Sequence, residues 1–144
     1  EKAISIYKLM FEDLGNQDEL CGRSNFSDLM QYSNLIVTDS NIGEGTQVMA
    51  GAVIQMGCKI GSHSVINTAA SVDHDCELGK YSFIGPNATL CGGVSVGECS
   101  FIGAGATVLP YIKIGKNCMI GAGSVVTKDI PDNVTAYGNP AKIK

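Results

Sequence analysis

The chain has 144 residues, a mass of 15.0 kDa and a net charge of −4, which bounds it to one compact domain and counts against nucleic acid as a partner. Its apolar content of 44% and mean hydropathy of +0.14 are high for a small soluble chain. Yet no apolar stretch approaches the roughly 20 residues of a membrane helix, and no basic start, apolar block and small-residue cleavage site signals export.

Residues 1–35 come first and carry no repeat. Ile4, Tyr7, Met10 or Phe11 and Leu14 are spaced like one helix face, with Gly15 as a stop. A second short helix is expected around Phe26 to Tyr32. The segment reads as a helical or irregular cap that plugs the open end of a repeat array.

From Ile36 to Val126 an aliphatic residue returns every six positions: Ile36, Ile42, Val48, Ile54, Ile60, Ile66, Val72, Leu78, Ile84, Leu90, Val96, Ile102, Val108, Ile114, Ile120 and Val126. A period of six is neither helical nor the alternation of an isolated strand. It marks a solenoid in which each short repeat buries its apolar side by stacking on its neighbours. Gly43, Gly61, Gly79, Gly97 and Gly115 recur every third hexad, so three hexads close one triangular coil and residues 36–131 give about five coils. Glycine at the corners is expected to supply the backbone angles of tight turns.

The eighteen-residue period sorts the outward residues into three faces. The first shows Gln47, Val65, Phe83, Phe101 and Met119; the second Val53, Ser71, Thr89, Thr107 and Val125; the third Asn41, Lys59, Glu77, Ser95 and Lys113. The third is a wetted face. The first is an apolar ladder that marks an interface, either with further copies of the chain in a closed ring or with the N-terminal segment. Beyond Pro131, residues 132–144 read as an extended tail.

Cys58, Cys76 and Cys118 fall four places after an aliphatic residue, where other repeats carry mainly Ser, Ala or Thr, so they read as small core fillers. Cys91 and Cys99 sit at turn positions and Cys21 lies outside the solenoid, so the six fit reduced thiols in a cytoplasmic protein. From Lys113 onward the chain holds five Lys and two Asp. That basic end reads either as a solvated tail or as a contact for a small polyanion.

The chain has two histidines. His74 stands in Asp73-His74-Asp75, with Asn67 seven residues earlier. A neighbouring carboxylate would orient the imidazole and favour its protonated form, which suits general-base work; an exposed turn histidine between two solubilising aspartates fits the spacing equally. His63 has no acidic neighbour and reads as a surface turn residue. A zinc site built from Asp73, His74, Asp75 or Cys76 is disfavoured, because adjacent residues cannot all converge on one ion.

The hexad register resembles the hexapeptide-repeat acyltransferases. The stretch Ile66-Asn67-Thr68-Ala69-Ala70-Ser71-Val72-Asp73-His74-Asp75-Cys76-Glu77-Leu78-Gly79 looks like the catalytic segment of one subgroup, the sialic acid O-acetyltransferases and the bacterial N-acetyltransferases of nucleotide-linked 4-amino sugars. The end Gly138-Asn139-Pro140-Ala141-Lys142 is similar to the Gly-x-Pro-Ala-Lys close of the wider superfamily. The resemblance implies an all-β, left-handed parallel β-helix working as a homotrimer through the Val65, Phe83, Phe101 and Met119 face. It also implies acetyl-CoA as acyl donor, with no metal.

Matched residue by residue, the resemblance makes His74 the general base, Asp75 its acidic partner and Asn67 an asparagine of the same pocket. Gly92, eighteen residues after His74, matches a glycine whose N–H meets the thioester carbonyl. Backbone groups of Gly103, Ala104, Gly121 and Ala122 would flank the pantetheine arm. Lys113, Lys116, Lys128 and Lys142 are the cations for coenzyme A phosphates.

The chain departs from the subgroup in two ways. A second histidine nine residues after the base, which touches the acetyl group in the amino-sugar enzymes, is Phe83 here. Residues 1–35 are too few for the nucleotide-sugar-binding domain of those enzymes, which is therefore absent, truncated or replaced. The expected function is acetyl transfer to an amino or hydroxyl group of a sugar in surface-polysaccharide synthesis. The rival readings are a non-catalytic solenoid scaffold and a γ-carbonic-anhydrase-like metal enzyme, whose site needs three histidines.

Overall fold

The computed structural model describes residues 35–36 and 40–144; the helical cap expected over 1–35 lies outside them, apart from Leu35. Sixteen two-residue strands recur every six residues, from β1 (Leu35–Ile36) to β16 (Val125–Val126). The second residue of each is the aliphatic one of the series. From Val48 to Val126 it points inward and is buried, with Ile54, Ile66, Ile84, Leu90, Ile102 and Ile120 fully so. Successive coils pair in parallel with an offset of eighteen, as in Val65↔Phe83 and Phe101↔Met119. The three resulting sheets are the three faces expected from the sequence, and their five, six and seven strands run the length of the prism. No α-helix occurs among the described residues.

Three interior columns of small residues fill the corners. Between the first and second faces they are Ala52, Ala70, Ala88, Ala106 and Ser124, all buried. Between the third and first faces they are Thr46, Ser64, Ser82, Ser100 and Cys118. Here Thr46 donates to Gly61 O at 3.0 Å, Ser64 to Gly79 O at 3.1 Å, Ser100 to Gly115 O at 2.6 Å and Cys118 to Pro131 O at 3.0 Å, all on the next coil, while Ser82 donates to Ser64 Oγ at 3.1 Å. That satisfies groups which would otherwise cost free energy in the core. Cys58 and Cys76 begin the third column and donate to the Asp73 and Cys91 carbonyls. They are core fillers, as expected, and all five described cysteines are free.

The glycines divide into two kinds, and only one answers to turn geometry. The column Gly43, Gly61, Gly79, Gly97 and Gly115 does not sit at positive φ. A Cβ there would strike the backbone of the next coil, at Gly97 the Gly115 carbonyl carbon at 2.5 Å and the Lys116 nitrogen at 2.6 Å. Close approach of coil on coil, not a special backbone angle, excludes a side chain. The left-handed angle falls two residues later, at Gly45 but equally at His63, Tyr81, Cys99 and Asn117, and the other corners repeat it at Gly105, Gly123, Asp75 and Tyr111. Gly97→Ala should therefore cost about 3 kcal/mol, by prising coils apart. Gly105→Ala, with φ at 66° and open space around its Cβ, should cost about 1–2 kcal/mol. Guanidinium unfolding midpoints of the two variants check the order; equal losses would sink the close-approach account.

The tail is extended, and it is also built into the solenoid. β17 (Thr135–Gly138) adds to the first face in parallel, with Met119↔Thr135 and Ile120↔Ala136 paired. The chain then turns at a cis Asn139–Pro140 bond, and β18 (Ala141–Ile143) pairs antiparallel with β17. Ala136 is buried as the next inward residue after Ile120, so the first face gains a further rung beyond the hexad series.

Candidate active site

His74 stands at the corner between the second and third faces, after β7 (Ser71–Val72) ends. The Asp73 carboxylate accepts the His74 backbone N–H at 2.8 Å, which fixes the turn. Asp75 adopts φ 58° and donates its own N–H to the Met56 carbonyl on the preceding coil at 3.0 Å. Its carboxylate lies against Gly57, where a Cβ would collide with Oδ1. From that position Asp75 Oδ2 meets His74 Nδ1 at 2.9 Å. A carboxylate accepts and does not donate, so Nδ1 carries the proton and the neutral ring keeps its lone pair on Nε2.

Nε2 faces one coil along, onto Gly92. A Cβ on that glycine would sit 2.5 Å from Nε2 and 2.6 Å from Cε1. Gly92 is buried, and among the described residues its N–H donates to no group of the protein. The hydrogen bond to Asp75 holds His74 above the ordinary histidine range, helped by the Asp73 and Asp75 charges and opposed by partial desolvation. The imidazole is half exposed, at 46%. A base, its orienting carboxylate and an unused amide donor thus share one edge of the prism, the parts that general-base attack on a carbonyl requires. Burial and the Asp73 charge push the nearby Cys91 thiol up, which suits it poorly as a nucleophile.

The remaining residues of interest are distributed over other parts of the prism. Lys128 falls on the same edge as His74, three coils further on. Asn67 lies at a different corner, between the first and second faces, where its Oδ1 accepts the Thr68 N–H at 2.7 Å. Gly103, Ala104, Gly121 and Ala122 follow Asn67 along that second edge, and the Ala104 and Ala122 N–H groups have no acceptor among the described residues. Phe83 is on the first face, stacked on Phe101 with centroids 4.7 Å apart and planes 5° from parallel. Lys113 is on the third face, Lys116 at the corner after it, and Lys142 in β18. Within one chain, then, His74, Asp75 and Gly92 come together; Lys128 shares only their edge, and Asn67, Phe83 and the second edge do not join them. His63 is at yet another corner, stacked on Tyr81 at 5.4 Å. Among the described residues no three His, Cys, Asp or Glu side chains are grouped to hold a metal ion.

Reading along the sequence alone passes over two members of the His74 edge: Gly57 makes room for the Asp75 carboxylate, and Tyr111 lies over Gly93. Steps of eighteen connect them, since Gly57, Asp75, Gly93 and Tyr111 are one column.

Hexads wound into a three-sided parallel β-helix, with an acid-paired histidine on an outer edge, define the class as a hexapeptide-repeat solenoid. The bacterial transferase hexapeptide profile (six repeats) matches residues 57–92, 75–110 and 93–128, together half of the chain. The chain belongs to the bacterial transferase hexapeptide family. No curated protein sequence matches it.

Among solved structures it is similar to perosamine N-acetyltransferase from Caulobacter crescentus in complex with CoA and GDP-perosamine, at 49% identity and TM-score 0.77 over 78% of this chain and 53% of that one. It is similar to the acetyltransferase domain of PglB from Neisseria gonorrhoeae in complex with acetyl coenzyme A, at 42% identity and TM-score 0.77 over 78% and 55%. WeeI from Acinetobacter baumannii matches at 29% identity and TM-score 0.75 over 86% and 66%. The chain spans about half the length of the first two.

Proposed function

We propose that this chain transfers the acetyl group of acetyl-CoA to an amino or hydroxyl group of a nucleotide-linked sugar, in the cytoplasm, for surface-glycan synthesis. The observation that carries this reading is the His74–Asp75 pair leaning on Gly92. The named acetyltransferases, complexed with CoA and GDP-perosamine or with acetyl coenzyme A, supply the reaction class.

In the reaction, the acceptor nitrogen or oxygen attacks the thioester carbonyl carbon while its proton passes to His74 Nε2. The carbonyl oxygen takes up negative charge and is held by the Gly92 N–H. The C–S bond then breaks, and the imidazolium returns the proton to the leaving thiolate, giving acetylated sugar and free coenzyme A. Asp75 holds the ring in the required tautomer and stabilises its charged form. With Phe83 where relatives carry a second histidine, carbonyl polarisation falls to the backbone.

The site is completed between chains. The Ala104 and Ala122 amides and Asn67 are on one edge and His74 on another, so a groove uniting them needs the edge of a second copy. Phe101 and Met119, exposed at 40% and 54% on the first face, supply apolar surface for a homotrimer in which such grooves form. Lys113, Lys116, Lys128 and Lys142 are the cations available for the phosphates of coenzyme A.

Thiol release from acetyl-CoA, followed over a panel of nucleotide-linked amino sugars and sialic acid, tests the reading. The expected result is acceptor-dependent thiol release with one acetylated product per thiol. Thermal stabilisation by acetyl-CoA with no release over the whole panel would reduce the chain to a binding module.

A further inference from the structure

Tyr111 is placed against the chemistry by the geometry of its ring. It shares the Asp75 column, two coils on, and its ring folds back over Gly93, where a Cβ would lie 2.5 Å from Cδ1 and 2.8 Å from Cε1. His74 Nε2 lies over Gly92 in the same way. Adjacent Cα atoms are about 3.8 Å apart, so imidazole and phenol ring lean onto neighbouring glycines from opposite sides. Neither glycine puts a side chain between the two rings.

The tyrosine is held there at a cost. It has φ 62° and is 74% exposed, a left-handed angle that disfavours a bulky residue, with little burial to compensate. Tyr81, at the equivalent angle one corner away, is stacked on His63; Tyr111 is stacked on no ring among the described residues. Strained exposed residues beside a site are candidates for function.

Resting on the proposed acetyl transfer, we propose that Tyr111 is a specificity-determining residue that limits the acyl chain of the donor. A carbonyl carbon within reach of an acceptor bound at Nε2, with its oxygen on the Gly92 N–H, has two remaining substituents. The sulfur must lead out along the groove towards the cations. The methyl is apolar, and the Cδ1–Cε1 edge of Tyr111 lies over Gly93, the residue that follows the oxyanion donor. A longer acyl chain would meet that edge directly.

Glycine accepts φ 62° without strain, so Tyr111→Gly should fold at least as well as the parent. Calorimetric binding of acetyl-CoA, butyryl-CoA and free coenzyme A to both proteins reads the wall without needing turnover. In the parent, butyryl-CoA should bind at least about tenfold more weakly than acetyl-CoA, the scale of discrimination that one or two methylenes give in a confined pocket. In Tyr111→Gly the two acyl donors should bind alike, with the affinity for coenzyme A unchanged. An unchanged donor ratio in the variant, or a parent that does not discriminate, overturns the proposal. Thiol release by the parent separately decides the acetyl-transfer reading, so the two failures are distinct.

Discussion

His74→Ala should lower kcat/KM for acetyl transfer by about 10²–10⁴-fold, the range that a positioned general base contributes, with the melting temperature and oligomeric state unchanged. The separation of effects stems from the surroundings of the ring. The imidazole is half exposed, bonds to Asp75 alone among side chains and leans on a glycine, so its removal opens no core cavity. Steady-state kinetics with gel filtration checks both halves, and a fully active variant would end the assignment of the base.

The same ring sets the pH dependence. His74 is held above the ordinary histidine value, chiefly by its hydrogen bond to Asp75. A protonated imidazole cannot accept a proton, so kcat/KM should rise with pH up to that elevated value and then level off. Asp75→Asn removes the main cause of the elevation. Its acid limb should move to lower pH, towards ordinary histidine, while its plateau falls because the ring loses its anionic partner. A limb that stays in place would mean that Asp75 does not tune the base.

Gly92→Ala should lower turnover by about 10–10²-fold, the loss typical of an ångström-scale misplacement of a catalytic group. The added methyl would stand 2.5 Å from His74 Nε2, and the ring must swing away from Asp75 to admit it. What it strikes is the end of a side chain, so the coil spacing survives and the melting temperature should hold. Gly97→Ala strikes backbone on the next coil and should behave in the opposite manner, losing stability. Measuring both activity and melting for the two variants separates a glycine that serves the site from one that serves the stack. A fully active Gly92→Ala would mean that the imidazole does not need its present seat.

Much of the His74 edge is legible in the spacing of the chain. His74, Asp75 and Gly92 group together because eighteen residues make a coil, and the structure sets the ring of the first directly over the third. Tyr111 and Gly57 obey the same arithmetic yet carry no polar signature, so nothing in their identity marks them. Asn67 illustrates the reverse case. It is seven residues from His74 in the chain, but one face of the prism intervenes.

The sequence by itself determined the strands, the three faces and the inward columns, because a strict hexad of aliphatic residues can bury its apolar side in one closure only. It also implied that the first face is apolar and the third wetted. Tertiary structure alone decided why Gly43, Gly61, Gly79, Gly97 and Gly115 are glycines, since the clash that forbids a side chain there comes from the backbone of the adjoining coil. It decided likewise that the tail returns as a hairpin on the first face, and that two rings close on Gly92 and Gly93 from opposite sides. Those outcomes depend on side-chain direction across coils, and spacing along a chain carries no record of where a χ angle points.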